Sequence, residues 1–151
     1  MLISIILLMF AHRFILIIVD SVFVAAGLIL VLIALKHVSK IAKDSKIFIY
    51  GLISAAFGLA GYLILIAPTI FPRYMIIYQY ELIAIWITLI ISSIFLKLSY
   101  DMISRSLGVG LFSTTALLYL VGAALTITIS GVPVIMASLI VHAIAFIKIR
   151  S

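Results

Sequence analysis

Residues Ile47 to Ala67 read IFIYGLISAAFGLAGYLILIA, without one charged or amide side chain. A helix that crosses ~30 Å of hydrocarbon needs about 20 consecutive apolar residues, and this run supplies them. A helix on the surface of a soluble domain would carry a polar face opposite its apolar one, and the strand of a membrane barrel would alternate apolar and polar residues at period two. Neither pattern occurs here. The bilayer core holds no water to satisfy backbone N–H and C=O groups, so a continuous apolar run of this length reads as a membrane-spanning helix.

Working outward in both directions, the same reading repeats. Tyr74 to Leu96 is a further apolar run that carries Gln79 and Glu81, and Phe14 to Leu35 is broken only by Asp20 and Ser21. Leu107 to Ile129 is rich in Ser, Thr, Gly and Ala. Val132 to Ile147 follows Ser130–Gly131 and has Pro133 just inside it, which is turn chemistry followed by a helix start. Hydrophobic residues make up 68% of the chain and charged residues 9%, where soluble proteins have roughly half and a quarter. So few polar residues cannot cover the core of a soluble protein, and lipid has to be the solvent for most of the surface. The expected fold is an all-α integral membrane bundle forming one domain, residues 1–151. Its five transmembrane helices lie at about 14–35, 47–67, 74–96, 107–129 and 132–147.

Residues 1–13 form a short apolar N-terminal segment. MLISIILLMF has no positive n-region, and His12 and Arg13 interrupt the apolar run, so an uncleaved segment is expected rather than a signal peptide. One helix from Leu2 to Leu35 would rise ~50 Å, more than one crossing needs. The preferred arrangement is an interfacial helix before Arg13. A hairpin turning near Asp20–Ser21, giving six helices, and a single tilted, overlong helix are the alternatives.

Sidedness follows from Lys and Arg. Lys36, Lys40, Lys43, Lys46, Lys97, Arg105, Lys148 and Arg150 fall on one side, and Arg13 and Arg73 on the other. The chain is therefore expected to be a multi-pass membrane protein with a defined orientation. The Lys36–Lys46 loop, the Lys97–Ser106 loop and the C-terminus face the cytoplasm. The net charge of +6 belongs to these flanks. Its partner is the anionic inner leaflet, not nucleic acid. Cysteine is absent, which excludes disulfides and thiolate metal sites.

Two blocks carry a family resemblance. GLILVLIALKHVSKIAKDSKIFIYGLISAAFGLAGYLI, Gly27 to Ile64, ends one helix in Ala-Leu-Lys, passes a short charged loop and opens the next helix with Ile-Phe. LFSTTALLYLVGAALTITISGVPVIMASLIVHAIAFIKI, Leu111 to Ile149, has the form of a closing hairpin. Both resemble a family of archaeal multi-pass membrane proteins of unknown function. The resemblance implies an archaeal plasma membrane and carries over no activity and no site residues. The chain departs from the family pattern near Asp20, where a Gly- or Pro-containing break would be expected.

Asp20 and Glu81 are the intramembrane carboxylates. Counted from Arg13 and Arg73 they lie at similar depths, ~10 and ~12 Å below one face. Ionisable groups within a span are costly and face the protein interior, so the pair is a candidate proton or cation site. The competing reading, which is preferred, makes each acid a polar fastener, paired with a nearby base or protonated. His37 and His142 stand on the side a b-type haem would require, but no spacing motif supports a haem, and an interfacial histidine is more often solvated or bonded to a helix end. No residue pair has zinc-ligand spacing, and no cofactor is expected. Gly108-Val109-Gly110 lacks the third glycine of a dinucleotide loop, and Ser, His and Asp occur in no nucleophile context. An enzyme is not expected.

Small residues carry the clearest packing signal. Gly51, Ala55 and Gly58 follow i, i+4, i+7, with Ser54 and Gly61 adjoining, and Gly122 with Ala123 does the same on the fourth span. Such faces allow close backbone approach between helices, inside the bundle or against another subunit. Tyr74, Tyr78, Tyr80 and Trp86 read as an interfacial aromatic belt. The leading functional expectation is an accessory or structural subunit held among other membrane-protein subunits, for example in a respiratory complex. The alternative is a small proton or cation channel or transporter, acting as a homo-oligomer through Asp20 and Glu81.

Overall fold

The computed structural model describes the backbone of residues 2–70, 78–126 and 131–150, and the side chains of residues 15–68, 80–126, 131 and 133–148. Within these the chain is all-helical: α1 (Leu2–Ile41), α2 (Ser45–Ile70), α3 (Tyr78–Leu107), α4 (Leu111–Leu125) and α5 (Gly131–Arg150). Three segments are long and apolar enough to cross a membrane: Ile15–Ile41, Ser45–Pro68 and Tyr80–Leu107, with mean hydropathies of 2.9, 2.0 and 2.2. The apolar helices Leu111–Leu125 and Pro133–Lys148 are shorter.

Contacts along the helices show that neighbours run antiparallel. Gly51 of α2 meets Leu35 of α1, and Tyr62 meets Ser21. Ile47 and Ser54 of α2 pair with Ser99 and Ser92 of α3. Asp101 and Trp86 of α3 reach Ser113 and Ala124 of α4. Thr115 and Gly122 of α4 lie against Ser138 and Gly131 of α5. The buried core gathers at the lysine-rich end, where Leu35, Val38, Ile47, Tyr100, Ile103, Phe112, Ala116 and Ala145 form one cluster. Tyr100 and Phe112 meet edge-on at 5.5 Å, and Phe112 meets Phe146 the same way at 5.2 Å, a favourable ring geometry.

Three boundaries differ from the sequence reading. The N-terminal segment is neither a separate interfacial helix nor half of a hairpin, because α1 is one helix of 40 residues and passes Arg13 and Asp20–Ser21 without a break. No proline or glycine precedes Gly27, so nothing ends the helix, and the overlong-helix alternative is the one realised. The Lys97–Ser106 connector is the last part of α3. Lys97 and Asp101 form an i, i+4 ion pair there, and such pairs support a helix. Likewise Lys36–Ile41 completes α1, leaving Ala42–Asp44 as the break before α2. The short turns are closed by left-handed residues. Gly108 (φ +68°) ends α3, as glycine commonly does after a helix, and Lys43 (φ 53°) turns the chain between α1 and α2. Pro68 lies inside the last turns of α2. Arg73, Tyr74 and Ser130 lie outside the described residues, as do the side chains of His12, Arg13, Tyr78 and Gln79.

Candidate functional site

Several polar side chains within the helices make interhelical bonds, and each helix pair that packs has its own, while Thr88, Ser93 and Thr115 bond to carbonyls of their own helix. Between α2 and α3, Ser92 Oγ donates to the Ser54 carbonyl at 2.9 Å and stands 3.2 Å from Ser54 Oγ. Ser99 Oγ donates to the Ile47 carbonyl at 2.8 Å. Between α4 and α5, Ser138 Oγ donates to the Thr115 carbonyl at 2.9 Å. Trp86 Nε1 donates to the Ala124 carbonyl at 3.3 Å, so this indole joins α3 to α4. Tyr80 is 74% exposed. Among the described residues no buried side-chain nitrogen or oxygen lacks a hydrogen-bond partner, as expected where an unsatisfied polar group costs several kcal/mol.

Two clusters collect more than one polar group. The first lies on α1 and α2. Ser21 Oγ and Tyr62 Oη are 2.9 Å apart, and Tyr62 Oη donates to Asp20 Oδ2 at 2.9 Å. One phenol can take a proton from the serine and give its own to the carboxylate, which closes a directed chain ending at Asp20. Asp20 itself is exposed. Glu81 stands in the first turn of α3, half-buried, with no described hydrogen bond. The two acids are not level. Asp20 meets Tyr62, and the neighbouring Gly61 faces Thr88 of α3. Glu81 is a further two turns along, ~10 Å away in depth. The similar-depth reading counted both from the arginines, which assumes helices of equal reach, and α1 is far longer than one crossing.

The second cluster is at the lysine-rich end. Tyr100 Oη and His142 Nε2 are hydrogen-bonded at 2.8 Å, the His142 ring stacks on Phe146 at 4.9 Å, and Tyr100 is fully buried. Beside Tyr100 on α3, Lys97 pairs with Asp101, which accepts from Ser113 Oγ at 2.7 Å. His37 lies on the exposed side of α1, where Nδ1 donates to the Ile33 carbonyl at 2.9 Å. His142 and His37 are thus each bonded, one to a tyrosine of another helix and one to its own helix. Among the described residues no group of three His, Cys, Asp or Glu could hold a metal ion.

The small-residue stripe packs within the chain. A Cβ added at Gly51 would stand 2.3 Å from Leu35 Cδ1, at Gly61 2.7 Å from Thr88 Oγ1, and at Gly58 3.4 Å from Ser92 Oγ. Ala55 is half-buried. The tightest site is on the α4–α5 hairpin. A Cβ at Gly122 would meet Ile135 Cγ1 at 2.6 Å, and one at Gly131 would meet the Gly122 carbonyl oxygen at 2.1 Å.

Residues 69–147 match the family model DUF996, described as a protein of unknown function. The chain belongs to this family. The matched segment runs from the end of α2 through nearly all of α5, and includes Glu81, Tyr100, His142 and the tight hairpin. A relative, "Uncharacterized protein MJ1644" of Methanocaldococcus jannaschii, is 28% identical over 144 residues, covering 87% of this chain and 81% of its own length. That breadth takes in most of α1 and α2 as well. No solved structure matches the fold. An archaeal family of unknown function is what the Gly27–Ile64 and Leu111–Ile149 blocks resembled.

Five polar residues were missed by sequence reasoning: Ser92, Ser99 and Ser138, which clasp backbones, and Tyr62 and Tyr100, which bind Asp20 and His142. A signal for the serines was present. Ser138 is an isolated hydroxyl in an apolar run, and Ser92, beside Ser93, interrupts another, where an unbonded hydroxyl would be costly.

Proposed function

We propose that this member of the family is a non-enzymatic accessory subunit of a larger membrane assembly, its five helices all embedded and its C-terminus in the cytoplasm of an archaeal cell. The observation that carries the reading is the use made of polar groups. Ser54, Ser92, Ser99, Ser138, Tyr62 and Tyr100 are bonded from helix to helix. A conducting path needs such groups turned towards it, and these are turned towards each other. The surface of α1 offers the contrasting feature. Ile15, Leu16, Val22, Phe23, Ile29 and Leu30 are all more than half exposed, an apolar ridge suited to lipid or to the helices of other subunits.

Purification in mild detergent tests the proposal. Stoichiometric membrane partners are the expected outcome, and a lone homo-oligomer would overturn it. The channel reading retains one observation in its favour, the exposed carboxylate of Asp20. Asp20→Asn keeps an acceptor for Tyr62 and should leave the protein folded and assembled. Loss of an ion flux from reconstituted vesicles in that stable variant would favour the channel. Sidedness has its own test, since the chain has no native cysteine. A cysteine replacing Ser39 should resist an impermeant thiol reagent in intact cells, and one replacing Thr69 should react.

A further inference from the structure

Of the six glycines within the helices, Gly51, Gly58, Gly61, Gly122 and Gly131 would each bring an added Cβ to 3.4 Å or less from a neighbour, whereas at Gly27 of α1 it would meet nothing within 4 Å. A glycine inside a helix weakens it and is of use where a second backbone comes close. At Gly27 this chain supplies no such backbone. Asp20, Gly27 and Ala34 follow one another at seven residues, nearly two full turns, so they share one face of α1. Beside them Leu16, Phe23 and Leu30 form a second row at the same spacing, each more than half exposed. The chain leaves this face open at every level. Asp20 is exposed, Gly27 meets nothing, and Ala34 borders an open groove in front of α5.

Asp20 is the only charged residue between Ile15 and Leu35. Lys36 follows it by 16 residues, and Tyr62, which bonds it from α2, is 16 residues from Lys46. Both helices therefore put the carboxylate ~24 Å from the lysine-rich edge, inside the ~30 Å of hydrocarbon. Tyr62 Oη donates to Oδ2, and among the described residues no hydrogen bond or ion pair reaches Oδ1. An acid turned outwards at this depth is costly unless a base covers it.

We propose, resting on the accessory-subunit reading above, that this face of α1 docks a membrane-spanning helix of another subunit, and that this helix carries one Lys or Arg level with Asp20. The base donates to the open oxygen of Asp20 and extends the Ser21–Tyr62–Asp20 chain across the interface. The bare glycine lets the two backbones approach, and Leu16, Phe23 and Leu30 pack along the side of the incoming helix. A lipid tail would cover the apolar rows but leave the carboxylate uncovered. A second copy in the same orientation has its described basic side chains, Lys36 to Lys46, Lys97, Arg105 and Lys148, at the opposite end.

The test is purification of the full-length chain from its native membrane in mild detergent, with the ratio of partner to chain read by quantitative mass spectrometry. The parent should hold a partner whose sequence has a Lys or Arg inside an apolar run of about 20 residues. Gly27→Val touches nothing in this chain, so folding is kept, and it should lower the ratio about tenfold. Ala25→Val, at an exposed residue on the opposite side of α1, should leave the ratio unchanged. Asp20→Val removes the carboxylate and should release the partner. Asp20→Asn keeps an acceptor and assembles, but should let go at a lower detergent concentration than the parent. A partner held equally by the parent, Gly27→Val and Asp20→Val, an equal loss with Ala25→Val, or a partner without an intramembrane base would overturn the docking face and leave the accessory role standing. A lone homo-oligomer would overturn both.

Discussion

α1 and the α4–α5 hairpin divide apolarity and burial in opposite ways. The α1 segment has the highest mean hydropathy of the candidate spans, 2.9, and none of its most apolar window is buried. α4 is only 15 residues long, yet Phe112, Thr115, Ala116, Gly122 and Ala123 are buried. In water the ranking would be reversed, since burial there follows apolar area. In a bilayer the lipid is as apolar as leucine, and helices associate through close van der Waals contact and hydrogen bonds. Glycine, serine and shape therefore decide what is buried, and hydropathy decides only what is in the membrane.

The largest expected effect breaks the hairpin. Gly131→Val places side-chain carbon against the Gly122 carbonyl and the Thr126 nitrogen, both backbone atoms that cannot swing aside. Overpacking of this kind should cost about 3 kcal/mol or more, read as a fall in the thermal midpoint in detergent. The matching change on α1 is Gly27→Val, where a Cβ would meet nothing within 4 Å. That variant should stay within about 0.5 kcal/mol of the parent. Equal midpoints for the two variants would erase the contrast between the regions.

Next comes Tyr100→Phe, which keeps the ring but removes the hydroxyl that binds His142. His142 is half-buried, and leaving it without this partner should cost about 1 kcal/mol, visible in the same unfolding experiment. Ser92→Ala removes a clasp between α2 and α3, and hydrogen bonds within membrane bundles average about 0.6 kcal/mol. A loss greater than that of Tyr100→Phe would place the stability of the bundle in α2–α3 and not at the aromatic end. The smallest effect belongs to the turn after α1. Lys43 holds a left-handed backbone (φ 53°), which a residue with a Cβ adopts at a cost of roughly 1 kcal/mol. Lys43→Gly should raise the midpoint slightly, the gain being reduced to a few tenths of a kcal/mol by the greater freedom of glycine in the unfolded chain.

The helical class and the positions of α2 to α5 were legible because apolar runs and their charged interruptions carry that information directly. The ends were not. Lys97 to Ser106 looks like a connector by charge, but charge marks where the membrane stops, and a helix can continue past it through pairs such as Lys97–Asp101. α1 likewise gave no stop signal before Lys43, and an expectation built on bilayer thickness inserted one. The glycine stripe was visible, since close packing requires small residues at regular spacing, and yet its tightest member, Gly131, read only as turn chemistry. The bonds Asp20–Tyr62 and Tyr100–His142 were beyond the sequence. Each joins residues about forty positions apart, and only the register between helices determines which side chains meet.

The unbroken course of α1 gives one polypeptide two hydrophobic lengths. At 1.5 Å per residue α1 extends ~60 Å, and α4 ~22 Å, against ~30 Å of hydrocarbon. A helix longer than the hydrocarbon around it carries a mismatch that costs fractions of a kcal/mol per ångström. Mismatch of this kind is relieved by tilt. Any lean of α1 about the short Ala42–Asp44 turn is set against the Tyr62 bonds to Ser21 and Asp20, which tie it to α2. The angle of α1 is thereby coupled to the thickness of the membrane around it.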